Sequence, residues 1–448
     1  MEIERLKVSH VKRNTIIAVI VVLIISAIIL NFTRAKYRTS YSVPLINGTI
    51  NYSATDLNIV AITVDGEEVD TIPTGNYELT EESYCEVNGN RDDNISLTYD
   101  NDTKTLSVSP LTTKGTKCYL YFDEQLSAAD IILADKNIDD SRNGAITGTF
   151  SEDTTGTVYS VADDWGTSYV YAGAPTDNWV QFAGYYWRII RINGDGSIRL
   201  IYNGTSTATT GTSTQIQTSA YNSTYNDNAY VGYMYGSTGA SSYSATHANT
   251  NNSTIKGILD SWYKTNIVDK GHSDKVSTEA GFCNDRKIST VSRSGYGTLG
   301  YGSNATVYAP IDRFFNSSWS WLNSQTPSLK CSQIGNDMFT VSGSSKGNHK
   351  LTYPVGLITA DEVVLAGGFG GSSNNSYYLH TGQSYWTMSP CNFDSTGYVF
   401  VFVVGSNGTL SSGTVNNSRG VRPVINLKAD VTITGLGTTS DPYQVEGA

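Results

Sequence analysis

Residues 178–204, NWVQFAGYYWRIIRINGDGSIRLIYNG, decide the fold. Two runs of apolar, aromatic and β-branched residues flank Asn193-Gly194-Asp195-Gly196. Glycine there supplies the positive φ angles of a tight turn, so the stretch predicts a β-hairpin. The NGDG turn lacks the further oxygens and the distal Glu of a calcium loop, and no metal site is assigned to it. Beyond the hairpin, residues 203–252 are rich in Ser, Thr, Asn, Gly and Tyr with little periodicity, which predicts long surface loops. Ser253 then caps a helix whose Ile255, Ile258, Leu259 and Trp262 form an apolar stripe. Thr359-Ala360-Asp361-Glu362 has capping-box spacing and opens a second helix that stops at Gly367-Gly368. The runs YWTMSP, YVFVFVV and VRPVINL read as closing strands. Trp187, Trp262 and Trp386, on hairpin, helix and closing strand, are expected in the core.

On the N-terminal side, residues 48–124 alternate short apolar strands with polar turns, as in LNIVAITV, SLTYD, LSVSP and KCYLYFD. This is the pattern of a small antiparallel β domain. Residues 126–136 carry helical spacing with Ser127 as N-cap, followed by a turn-rich connection to 156. Farther back, Thr15 to Phe32 contains no charge and follows Lys7, Lys12 and Arg13. About 18 apolar residues suffice to cross a bilayer. The run is read as an uncleaved transmembrane signal anchor over 15–33, with the short N-terminal tail cytoplasmic and the C-terminal bulk extracellular.

Net charge is −11 and no Lys/Arg cluster occurs beyond the membrane flanks, so nucleic acid is not expected as a partner. Of the five cysteines, Cys85 and Cys118 fall in the first candidate domain and Cys283 and Cys331 in the second. Neighbourhood suggests these two pairs as disulfides, although spacing alone does not fix connectivity. Cys391 is left as a buried free thiol. HExxH, P-loop and CxxC signatures do not occur, and His247, His272, His349 and His380 stand without motif context. No catalytic residue, cofactor or metal ligand is assigned.

The order of elements, with YYWRIIRI, one long helix, GLITADEVVLAGG, SYWTMSP and GVRPVINL, resembles the C-type-lectin-like fold of the formylglycine-generating, sulfatase-modifying superfamily. It is most similar to bacterial exported proteins carrying that domain. Thr359, Glu362, Gly367, Gly368, Trp386 and Arg422 fit the superfamily's slots. The pair of cysteines used by formylglycine-generating enzymes is reduced here to Cys391, and the EPN, QPD and WND tripeptides of calcium-dependent lectins do not occur. The segment from Tyr385 to Val424 resembles the variable region of lectin-fold proteins diversified by retroelements. That resemblance implies a ligand face built from Asn392, Asp394, Tyr398 and Asn407.

The combined expectation is an α+β chain. It has a cytoplasmic tail (1–14), a transmembrane anchor (15–33), a linker (34–47), a small antiparallel β domain (48–124), a helix and linker (125–156), a C-type-lectin-like mixed domain (157–432) and a C-terminal tail (433–448). Such a protein is a single-pass cell-surface component whose head binds an extracellular glycan or protein. An enzyme of the same fold with an unfamiliar site, and a pilin-like structural component, are the alternatives.

Overall fold

In the computed structural model, which describes residues 57–72, 77–100, 103–110 and 115–448, the chain divides after Gln125 into two units. The first is built on Thr116–Glu124, which pairs with Leu57–Val64 on one edge and with Tyr77–Leu79 and Tyr84–Val87 on the other. Ile62, Val64, Leu106, Leu120 and Phe122 make its core. Leu57–Val64 runs parallel to Thr116–Glu124, which corrects the antiparallel expectation. These are the first and last strands of the unit, joined by a long excursion rather than a hairpin, and such a connection permits parallel pairing. Cys85 and Cys118 face one another in the ladder and are bonded.

In the second unit the predicted hairpin forms from Tyr185–Ile192 and Ile198–Tyr202, with Gly196 at φ 81° in the turn. One edge of Tyr185–Ile192 is shared by Trp179–Phe182 and Thr167–Val170. Ile198–Tyr202 pairs in turn with Val424–Leu427. The C-terminal segment also enters this sheet, because Tyr443–Val445 lies parallel to Trp179–Phe182. A second sheet orders Gln217–Ser219, Arg419–Val421, Tyr385–Phe393, Val399–Val404 and Leu410–Thr414. The chain passes from this sheet to the first at Arg422-Pro423. The Arg422 guanidinium is buried there, donating to the Tyr202 carbonyl at 3.1 Å and lying over the Tyr385 ring.

The helices are short. Ala128–Leu133 is capped by Ser127 and buries Ala128 and Ile132. Thr254–Tyr263 buries Ile255, Lys256, Leu259 and Tyr263. Ala360–Ala366 closes on Gly367 at φ 123°. The α+β expectation is corrected on this point: strand accounts for 34% and helix for 13%, so the fold is mostly β. The reason is compositional, since β-branched, aromatic, Ser, Asn and Gly residues extend helices poorly and the periodic stretches end within two or three turns. The anchor expected over 15–33 lies outside the described residues. Among the described residues no helix is long and apolar enough to cross a membrane.

Residues 203–252, expected as surface loops, instead bury Tyr221, Val231 and Tyr233. Trp187 is buried, donating to the Phe182 carbonyl at 3.1 Å with Tyr202 and Trp262 at 5.7 and 6.0 Å. Trp386 is buried in the second sheet against Tyr221. Trp262 only packs on the core's margin. The second disulfide joins Cys283 to Cys331, and two such bonds mark an extracellular or secreted protein. Burial pushes the free Cys391 thiol up to about 12, which leaves it unreactive at neutral pH.

Candidate functional site

The hairpin forms the first wall of a charged cleft. Arg191 and Arg199 are cross-strand partners, and a bulge between Ile189 and Arg191 re-aims the strand so that both guanidiniums meet Glu362. Glu362 is the third residue of its helix, and its Oε2 accepts the Thr359 N–H at 2.9 Å. Its Oε1 lies 3.1 Å from Arg191 Nε and 2.5 Å from Arg199 Nε, the latter out of line for a hydrogen bond. Burial alone would raise the Glu362 carboxyl, but Arg199 and Arg191 outweigh it and hold the group below the ordinary range.

Asp163 completes this cluster. Its Oδ2 accepts from Arg191 Nη1 at 2.9 Å, the Ser168 hydroxyl at 2.7 Å and the Gly194 N–H at 2.9 Å. A Cβ on Gly194 would sit 2.5 Å from Asp163 Oδ1, so glycine is required here by this approach, whereas in the turn only Gly196 has a positive φ. A second cluster lies alongside. Arg313 donates to both oxygens of Asp361 at 2.6 and 2.9 Å and to Asp285 Oδ2 at 2.9 Å. Burial alone would lower the guanidinium, yet the two carboxylates raise it, and Arg313 stays cationic.

Two adjoining cavities open between these groups. One is walled by Arg191, Arg199, Arg313, Asp285, Asp361 and Glu362. The other is walled by Asp163, Asp164, Trp165, Asn193 and Asp195, and both share Arg191, Gly281, Leu329 and Met338. The Cys283–Cys331 bond staples the wall, and the Cys331 N–H donates to Asp164 at 2.9 Å. Lys346 bridges Asp195 at 2.7 Å and lies over the Trp165 ring. Among the described residues no three His, Cys, Asp or Glu side chains gather as a metal ion would need.

The residues singled out from the sequence do not share one face. Asn392 is a buried strand residue paired with Val307 and Phe400, its Oδ1 3.0 Å from the Cys391 thiol. Asp394 builds a turn by accepting the N–H groups of Thr396 and Tyr398, each at 3.0 Å. Tyr398 is 38% exposed and stacks on Tyr225 at 4.7 Å. Asn407 belongs to the next turn, where its amide donates to Ser373 at 2.6 Å. These turns cap opposite ends of Val399–Val404, a separation of roughly 20 Å for a strand of that length.

The sequence contains one GxSxG spacing, Gly343-Ser344-Ser345-Lys346-Gly347, which motif reading passed over. It is not a nucleophile elbow, since it lies in turns rather than between a strand and a helix. The Ser345 hydroxyl donates to Glu279 at 2.6 Å, and no histidine ring is among its partners.

The cleft left a weaker signal: arginines inside otherwise apolar strands, as in YYWRIIRI and SIRLIY, must find buried partners. Their partners stand far apart in the chain, and no motif links them. Compared with protein-family models, curated proteins and solved structures, this chain has no match.

Proposed function

We propose that this chain is an exported protein whose second unit binds an extracellular ligand, a glycan or a protein group, in the charged cleft. The observation that carries the reading is the convergence of buried guanidiniums and carboxylates on the wall of a cavity. Buried ion clusters are weak stabilisers that apolar residues of similar volume often replace without loss. Their concentration at one cavity therefore favours recognition over mere folding. Kinship with exported C-type-lectin-like proteins is part of the proposal, supported by the hairpin's pairing with the VINL strand and by the Thr359–Glu362 capping box.

The finer placement, a membrane protein with its bulk outside, rests on the apolar run of residues 15–33 alone. Protease added to intact cells of the native host is expected to remove residues 126–448 from the membrane fraction. Full protection until lysis contradicts that placement.

Binding is tested by screening the full chain against glycans and exterior proteins, then repeating with two double variants. Trp165→Ala with Ser328→Ala alters the cleft rim, and is expected to weaken binding tenfold or more at a stability cost below that of a wholly buried tryptophan, since Trp165 is only half-buried. Asp394→Ala with Tyr398→Ala alters one turn and is expected to leave affinity unchanged. The reverse pattern moves the site to the turns.

A further inference from the structure

We propose that the cleft takes a protonated primary amine, seated on the free oxygen of Asp285; this rests on reading the cleft as the ligand site. Asp285 is 4% exposed, and its two oxygens are unequal. Oδ2 is held by Arg313 at 2.9 Å, whereas Oδ1 has no partner. Arg313 reaches Oδ2 alone, while its Nε and Nη2 turn to Asp361 at 2.6 and 2.9 Å. A buried carboxylate oxygen without a donor is costly, and a ligand N–H removes that cost.

The neighbouring cavity makes the same demand. Asn193 is 5% exposed, its amide donates to Ser197 and Asn426, and its Oδ1 has no partner. Two buried acceptors in adjoining walls thus await hydrogen-bond donors, and an ammonium brings three and accepts none. Charge points the same way. Asp163, Asp164, Asp195, Asp285, Asp361 and Glu362 face Arg191, Arg199, Arg313, Lys330 and Lys346, which leaves the carboxylates one in excess. The shared floor of Gly281, Leu329 and Met338 offers apolar surface to methylenes behind the charged head. A Cβ on Gly281 would stand 2.5 Å from Met338 Sδ, so the floor is closely packed and favours a slender chain over a ring.

The test titrates the full chain, in mild detergent, with n-butylammonium, 1-butanol and butyrate by calorimetry at neutral pH. Butylammonium is expected to bind at least tenfold tighter than butanol, and butyrate not at all. Lysine amide, putrescine and glucosamine then separate a peptide side chain, a polyamine and an amino sugar as the natural source. Asp285→Asn keeps the shape while removing the charge, and is expected to lose at least tenfold for butylammonium. Lys330→Glu, an exposed rim change, is expected to raise amine affinity severalfold and serves if the Asp285 variant fails to fold. Equal binding of butylammonium and butanol, a folded Asp285→Asn protein with unchanged affinity, or no response to Lys330→Glu overturns the assignment. If amines fail while the rim variant still loses the ligand found by screening, only the amine assignment falls and the cleft remains the site.

Discussion

Glu362→Ala is expected to destabilise the second unit by about 3–5 kcal/mol, the usual consequence of removing one partner from a buried ion cluster. The carboxylate is 1% exposed and faces Arg191 and Arg199, so its loss leaves the Arg199 guanidinium buried without an anion and Arg191 with Asp163 alone. It also removes half of the capping box at the start of Ala360–Ala366. Urea denaturation followed by tryptophan fluorescence reads the change, and a loss below about 1 kcal/mol contradicts the buried cluster. The pH dependence has a definite sign. Burial works to raise this carboxyl but the arginines prevail and depress it, so the unfolded chain takes up the proton more readily. The contribution is full above the ordinary glutamate range near ~4.3 and is lost as pH falls through the depressed folded value. Asp163, held down by Arg191, Gly194 and Ser168 against its own burial, acts in the same direction. Glu362→Gln is expected to flatten the acid limb of the wild-type profile.

Trp187→Ala is expected to cost about 3–5 kcal/mol, because the ring is wholly buried between the hairpin and the Thr254–Tyr263 helix and nothing nearby can fill the space. Trp262→Ala is expected to cost roughly half as much, since part of that ring already meets solvent. Equal effects at the two positions, measured by the same urea melts, contradict the packing described.

The hairpin was legible in the sequence because its signals are local: alternating β-formers and an Asn-Gly-Asp-Gly turn determine each other within about 30 residues. The capped helices, with Ser127, Ser253 and Thr359 as N-caps, were legible for the same reason. What sequence reading missed is non-local. Tyr221 and Tyr233 sit in a stretch with no period, and are buried because distant strands cover them. Asn392 looks like a turn residue beside Asp394, yet the last residues of a strand share its polar vocabulary, and its burial follows from pairing with Val307. The cleft joins residues 163, 191, 285, 313 and 362 through sheet register and a disulfide, neither of which a linear pattern encodes.

The most direct measurement is hydrogen–deuterium exchange of the full chain with and without the ligand that screening returns. Slowed exchange is predicted over residues 163–166, 281–286 and 328–331, where the backbone lines the cleft. Slowing confined to residues 394–398 or 405–409, with the cleft segments unchanged, contradicts the account.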